Sequence, residues 1–400
     1  MTLREAILRT FRREPVDRLI WQPRIYYWYY GNGLPNPAPE AYVRIHGEPP
    51  PFPIERVAEP NVPEEYRSSS MIELYRKLPA SPRYPQEVLG VRLFEIQYDR
   101  TVQIHQTREN GRVITVMRTP VGELREVSSH GYHNEYLLKG PDDFRVMQYV
   151  LDHSEFVFWH DAFRIADQEF GDLGVVTTFY PRSPLQRLIV EWMGFENAVF
   201  ALTDYPRESS ELLRAIEDWD DRMYDVLLSS PLQIFNFGEN IDANIDPPHY
   251  FERYLEPYYE RRISQIHAAG KFCHIHIDGA MKLLLPIIRR MSFDGIEAAT
   301  PLPQGDVTLE ELKEGLGGKI LVDGIPAILF LPNYPMGQFE EFVWKVIEMF
   351  WPNLILGISD ELPPGGDIRR VKYVSDIAES WKPTASSSGR SAEATGSGSR

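Results

Sequence analysis

Cysteine is nearly absent: Cys273 is the single thiol in 400 residues. That excludes an intramolecular disulfide framework and any thiolate-rich zinc or iron–sulfur centre built from this chain, and it fits a reducing cytoplasm. Positive charge is also short, with 42 lysines and arginines against 58 aspartates and glutamates, a formal charge of −16. The resulting field repels polyanions and no basic patch offsets it, so nucleic acid is not an expected partner. Long apolar runs are missing as well. No segment approaches the roughly eighteen continuous apolar residues of a membrane helix, and MTLREAILRTFRREPVDR has no apolar core with a small-residue cleavage site, so we expect neither a membrane span nor a secretion signal. No GxGxxG or GxxxxGK[ST] loop follows any apolar run, which leaves the cradling of nucleotide phosphates without support.

What is present is ordinary for a globular protein: 43% hydrophobic and 25% charged residues, enough to bury a sizeable core. Leu3, Ile7 and Phe11 recur at helical spacing before Pro15, and a strand over 18–25 follows. Prolines are dense from 35 to 63 and periodicity is lost there, apart from a short helix over 72–78. LFEIQYDRTVQIHQT, the turn at Asn110-Gly111 and RVITVMRTPVGELREV predict an antiparallel hairpin layer. From Asp142 onward, helical segments alternate with short apolar runs at 175–180, 232–240, 271–278, 293–300, 319–325 and 354–359. That rhythm predicts an α/β fold with a parallel sheet, closed as a (β/α)8 TIM barrel. We expect one barrel domain over 1–382, with 35–140 as an irregular and hairpin insertion, and a disordered, low-complexity tail over 383–400.

The run FCHIHIDGAM at 272–281 concentrates the chemistry. On a strand, His274, His276 and Asp278 share one face, and Cys273, Ile275 and Ile277 share the other. The apolar set should face the helices, which turns the histidines inward and places Asp278 at the C-terminal mouth, where barrel enzymes hold their sites. Neighbouring runs bring Glu239, Asn240, Glu297, Asp323 and Asp360 to the same rim. Carboxylates so gathered raise one another's pKa unless a cation joins them. Glu239, His276, Asp278 and Asp360 therefore form the expected set of ligands for a divalent metal, with Glu239 and Asp278 as the catalytic carboxylates. The same groups would also serve as hydrogen-bonded core residues paired with arginine, and Asp278 could orient His276 instead of ligating. In RIYYWYYGNG at 24–33, Arg24 could grip a carboxylate while Tyr26 and Trp28 wall a pocket; Tyr180, Asn240, His274 and Glu297 complete the expected substrate contacts.

Several stretches together carry a family resemblance over most of the chain: LRTFRREPVDRLIW, RTPVGELREV, SPLQRLIVEWMGFENAVFALTDYP, YLEPYYERRISQIHAAGKFCHIHIDGAMKLLLPII and FDGIEAATPLPQGDVTLEELKEGLGGKI. They resemble the uroporphyrinogen decarboxylase superfamily, and more closely its cobalamin-dependent methyltransferase branch. The resemblance implies a (β/α)8 barrel with its site at the strand C-termini. Decarboxylases of that family carry an RQAGRY-type loop; here the matching RIYYWYY keeps Arg24 and replaces the second arginine with an aromatic residue, so a tetrapyrrole with many carboxylates would be poorly held. The thiol-methylating branch binds zinc through His-x-Cys and a late Cys before Pro-Pro. The matching positions are His276, Asp278 and Asp360, so both cysteines have become aspartates. The oxygen-rich set suits an ether oxygen better than a thiol. The resemblance thus implies methyl transfer from a small donor, such as a methoxylated aromatic, with zinc as the first metal to consider. No Asp-x-His-x-x-Gly motif occurs, so the corrinoid would come on a separate protein. A homodimer is compatible with this reading; the rivals are decarboxylation of a small acid on the same barrel and a non-catalytic ligand-binding role.

Overall fold

The computed structural model describes residues 1–383, so all but the first residue of the expected tail lies outside the described residues. Six parallel strands stand side by side in chain order: Thr178–Phe179, Ile234–Phe237, Phe272–His276, Gly295–Glu297, Ile320–Pro326 and Leu354–Ser359. Residues 19–22 extend this sheet beyond its last strand, with Gln22 N donating to Leu356 O at 2.8 Å and Leu356 N donating to Ile20 O at 3.0 Å. Ser81 N then donates to Trp21 O at 2.8 Å, and Thr177 N donates to Arg83 O at 3.2 Å. Residues 81–83 therefore stand between the first strand and the third, and the ring closes as a (β/α)8 barrel.

The apolar, β-branched strands are buried on both faces, as parallel barrel strands require. Around them pack helices whose buried residues recur at helical spacing, among them Leu212, Ile216, Trp219, Met223 and Leu227 on Pro206–Ser229, and Tyr259, Ile263 and Ile266 on Glu256–Ala268. The N-terminal helix, Leu3–Phe11, opens with the Thr2 hydroxyl accepting from Glu5 N at 3.1 Å. Its Leu3, Ile7 and Phe11 cluster with Ile20, Val175, Ile234, Ile320 and Ile355 at the strand starts. This apolar plug seals one end of the barrel and leaves the polar interior at the other.

The interval 35–140 is not one insertion, because residues 81–83 inside it belong to the ring. A strand of three residues set among Pro79, Pro82 and Pro85 has too little length to show periodicity. The hairpin layer also differs from its expected extent. A four-stranded antiparallel meander runs over Gln103–Glu109, Arg112–Thr119, Gly122–Ser129 and Tyr132–Glu135, and its first turn sits on Asn110 and Gly111, both with positive φ, as a two-residue hairpin demands. Phe94–Tyr98 leaves that layer and pairs antiparallel with Ser154–Phe158. The break comes at Asp99, whose carboxylate accepts from Thr101 N at 2.7 Å and turns the chain. Among the described residues no helix is long and apolar enough to cross a membrane.

Candidate metal centre and the charged barrel interior

Register pairs His276 with Glu297, and Glu297 with Val322, so these three share the inward face while Cys273, Ile275 and Ile277 lie in the helix-facing core. Strict alternation would send Asp323 outward. Its φ of +89° turns the carboxylate into the barrel, where Arg83 Nη2 donates to it at 2.7 Å. Gly357 on the last strand makes room: a Cβ there would stand 2.2 Å from Asp323 Oδ1 and 2.9 Å from Gln22 O.

At the C-terminal rim, one ligand atom each from His276, Asp278 and Asp360 lie within 4.8 Å of one another. His276 Nδ1 sits 3.2 Å from Glu297 Oε2, and Nε2 sits 3.6 Å from Asp278 Oδ2. Asn240 Nδ2 donates to the same Asp278 oxygen at 2.8 Å, and Arg24 Nη1 donates to Asp360. A ring that donates from Nδ1 to a carboxylate offers Nε2 outward, the arrangement in which histidine ligates a metal.

The charge balance supports a cation. Six carboxylates, Glu87, Asp278, Glu297, Asp323, Asp360 and Glu361, meet two guanidinium groups, Arg24 and Arg83. Burial disfavours charge on His276, but Asp360, Asp278 and Glu297 outweigh it and hold the imidazole well above its usual pKa. Burial likewise pushes Glu297 up, and Arg83, His276 and His274 reverse it, leaving the carboxyl well below its usual range. Asp323 is raised to about 6 by burial in spite of Arg83. Glu361 is raised well above the ordinary range, chiefly by burial, with Glu87 and Asp360 adding to it against Arg24. Its carboxylate stands beside Arg24 Nη2, yet neither oxygen has a hydrogen bond of good geometry among the described residues. A hard divalent ion at His276, Asp278 and Asp360 fits this donor set and would supply the positive charge that protons otherwise supply.

Five expected site residues lie elsewhere or act otherwise. Glu239 is outside the group: the chain turns after Phe237, with Glu239 N donating to Phe237 O at 3.0 Å, and the buried carboxylate instead accepts from Ser183 N at 3.0 Å and Ser183 Oγ at 2.9 Å. Burial pushes its pKa up to about 7, against the pull of the Ser183 bonds. Arg24 is not free to grip a substrate carboxylate, since Glu87, Asp360 and Glu361 surround it. Trp28 is fully buried on the helix Tyr26–Gly31 and belongs to the core. Tyr180 packs toward the helix Pro206–Ser229, where its hydroxyl accepts from Tyr224 at 3.0 Å. Of the aromatic run, Tyr26 stays near the charged cluster, its ring 5.6 Å from the Arg24 guanidinium carbon, and the Tyr30 hydroxyl donates to Glu87 O at 3.4 Å. His274 lies deeper, with its ring 6.1 Å from that of Phe11, and burial lowers its pKa to about 4, so it is neutral.

The interior also uses residues that sequence reasoning passed over. Arg83 bonds Glu297 and Asp323; Tyr84 donates to Glu297 at 2.7 Å; Asn236 donates to both Tyr84 and Glu297; Glu87 pairs with Arg24 at 2.7 Å. One signal pointed to them: a rim crowded with carboxylates needs arginines.

The sequence matches no known family and no curated protein. The structure is similar to a methyltransferase from Methanosarcina mazei, 15% identical, covering 95% of this chain and 98% of that one with a TM-score of 0.53. It also aligns with a B12-independent methionine synthase from Shewanella sp. W3-18-1, 10% identical over 90% of this chain and 96% of that one, TM-score 0.44. A putative vitamin-B12 independent methionine synthase from Listeria monocytogenes aligns at 14% identity over 55% and 69%, TM-score 0.37. The first likeness establishes the fold, in agreement with the closed ring of backbone bonds.

Proposed function

We propose that this protein is a methyltransferase. It holds a divalent cation, zinc before others, on His276, Asp278 and Asp360, and moves a methyl group from a small methoxylated aromatic donor to the corrinoid of a separate partner protein. The observation that carries the reading is the convergence of those three ligand atoms within 4.8 Å at the C-terminal rim. A methyltransferase among the solved structures of the same fold is consistent with it. When bound, the cation would act as a Lewis acid on the oxygen that loses its methyl group. Around it, Glu297 orients the His276 ring, Asn240 orients Asp278, and Arg24 orients Asp360. Glu361, one residue beyond Asp360, holds its carboxyl group beside Arg24 at the same rim.

Decarboxylation of a small acid is less well supported, because Arg24 and Arg83 are both surrounded by the protein's own carboxylates. The test has two stages. Elemental analysis of purified protein should find about one divalent ion per chain, and methoxylated aromatics with a reduced corrinoid protein should then produce methylated corrinoid, read from its absorbance. Protein that is active without metal and with chelator present would end this proposal.

A further inference from the structure

A cavity of about 430 Å³ lies between the barrel wall and the segments packed against it. Phe94, Phe179, Tyr180, Trp192 and Trp219 line it, with Arg182 at the side nearest Asn240. The volume falls in the range that holds a small organic molecule, and the lining is mainly apolar and aromatic.

The polar groups of the wall decide what kind of molecule fits. Tyr180 and Trp219 are already hydrogen-bonded, the first with Tyr224 at 3.0 Å and the second to Ser154 Oγ at 3.0 Å. The charges cancel in pairs: Arg182 Nη1 donates to Glu191 at 2.6 Å, and Arg187 pairs with Asp220. Neither an anion nor a cation would find an uncompensated partner. One donor remains. Arg182 Nε is buried and has no hydrogen-bond partner among the described residues.

We propose that this cavity binds a neutral, flat aromatic molecule of about one or two fused rings, whose carbonyl, ether or phenol oxygen accepts a hydrogen bond from Arg182 Nε. The site is separate from the metal cluster but tied to it, since Arg182 Nη2 donates to Asn240 Oδ1 at 2.6 Å and Asn240 donates to Asp278. Binding requires neither the cation nor methyl transfer, so its failure and theirs are independent.

The test uses full-length protein and prodan, a neutral naphthalene carrying a ketone, whose fluorescence reports its surroundings. Wild-type protein should bind one equivalent saturably with a blue-shifted emission. Ile96→Trp, which fills the cavity from the edge strand, should weaken binding at least tenfold. Arg182→Met, which keeps the apolar stem and removes the donor, should weaken it several-fold and still fold if the first variant does not. Anionic anilinonaphthalene sulfonate should not compete for the same site. Absence of saturable one-to-one binding, affinity undiminished in the folded variants, or full competition by the sulfonate would overturn the proposal. Metal content measured on the same samples keeps this outcome apart from that of the metal centre.

Discussion

Arg83 and Asp323, 240 residues apart in the chain, meet inside the barrel at 2.7 Å, and both are almost fully buried. The same guanidinium bonds Glu297, which in turn steadies His276. One arginine thus stands behind the ring nitrogen on which the metal reading depends. Arg83→Met should strand two buried carboxylates and cost about 3–5 kcal/mol, read from denaturant unfolding. A loss below about 1 kcal/mol would show that the interior carries its charge in another way.

Metal affinity should sort the rim residues by role. His276→Ala and Asp360→Ala each remove a ligand atom and should leave substoichiometric metal after dialysis. Glu297→Gln keeps the ring in place less firmly and should weaken affinity by about 10–100-fold, measured by competition with a chromophoric chelator. Glu239→Gln should leave metal content unchanged. If it empties the site, the ligand set drawn here is wrong.

Glu239 gives a pH dependence of its own. Its folded pKa of about 7 lies above the ordinary glutamate value of 4.5, so the folded state binds the extra proton between those limits. Stability contributed by the protonated form is complete below about 4.5 and is lost as pH rises through about 7, a difference on the order of 3 kcal/mol. Glu239→Gln removes this slope. Unfolding free energies of the two proteins from pH 4.5 to 8 should therefore diverge, with the variant gaining relative stability at the alkaline end; parallel curves would contradict the assignment.

Gly357 tests the packing of the ionic layer. Gly357→Ala places a methyl group against Asp323 Oδ1 and the Gln22 carbonyl, and should cost about 1–3 kcal/mol. Because the displaced group is Asp323, a double-mutant cycle with Arg83→Met should show coupling, whereas additive effects would place the clash elsewhere.

The sequence made the later strands legible because ILVDGI and LILGIS are long enough to show predominantly apolar character. His276 and Asp278 followed from alternation, and Asp360 from its place just past a strand end. Alternation failed where the backbone departs from regular strand. Asp323 turns inward through a positive φ, and Glu239 turns away through a tight bend after Phe237, neither of which residue type announces. The segment 81–83 escaped for a different reason, since three residues between prolines carry no period to detect. The aromatic run at 26–30 reads as a pocket wall in sequence, but its helix buries Trp28 and Tyr29 and leaves Tyr27 outside.

The closure of the ring also constrains the order in which a growing chain can fold. Residues 19–22 have the strand Leu354–Ser359 as one neighbour, and Arg24 has Asp360 and Glu361 among its partners. Until the C-terminal part emerges from the ribosome, the first strand has an open edge and Arg24 has only Glu87. The barrel can therefore shut only after residues 354–361 have been made, and a chain stopped short of residue 354 would remain an open sheet exposed to aggregation and proteolysis.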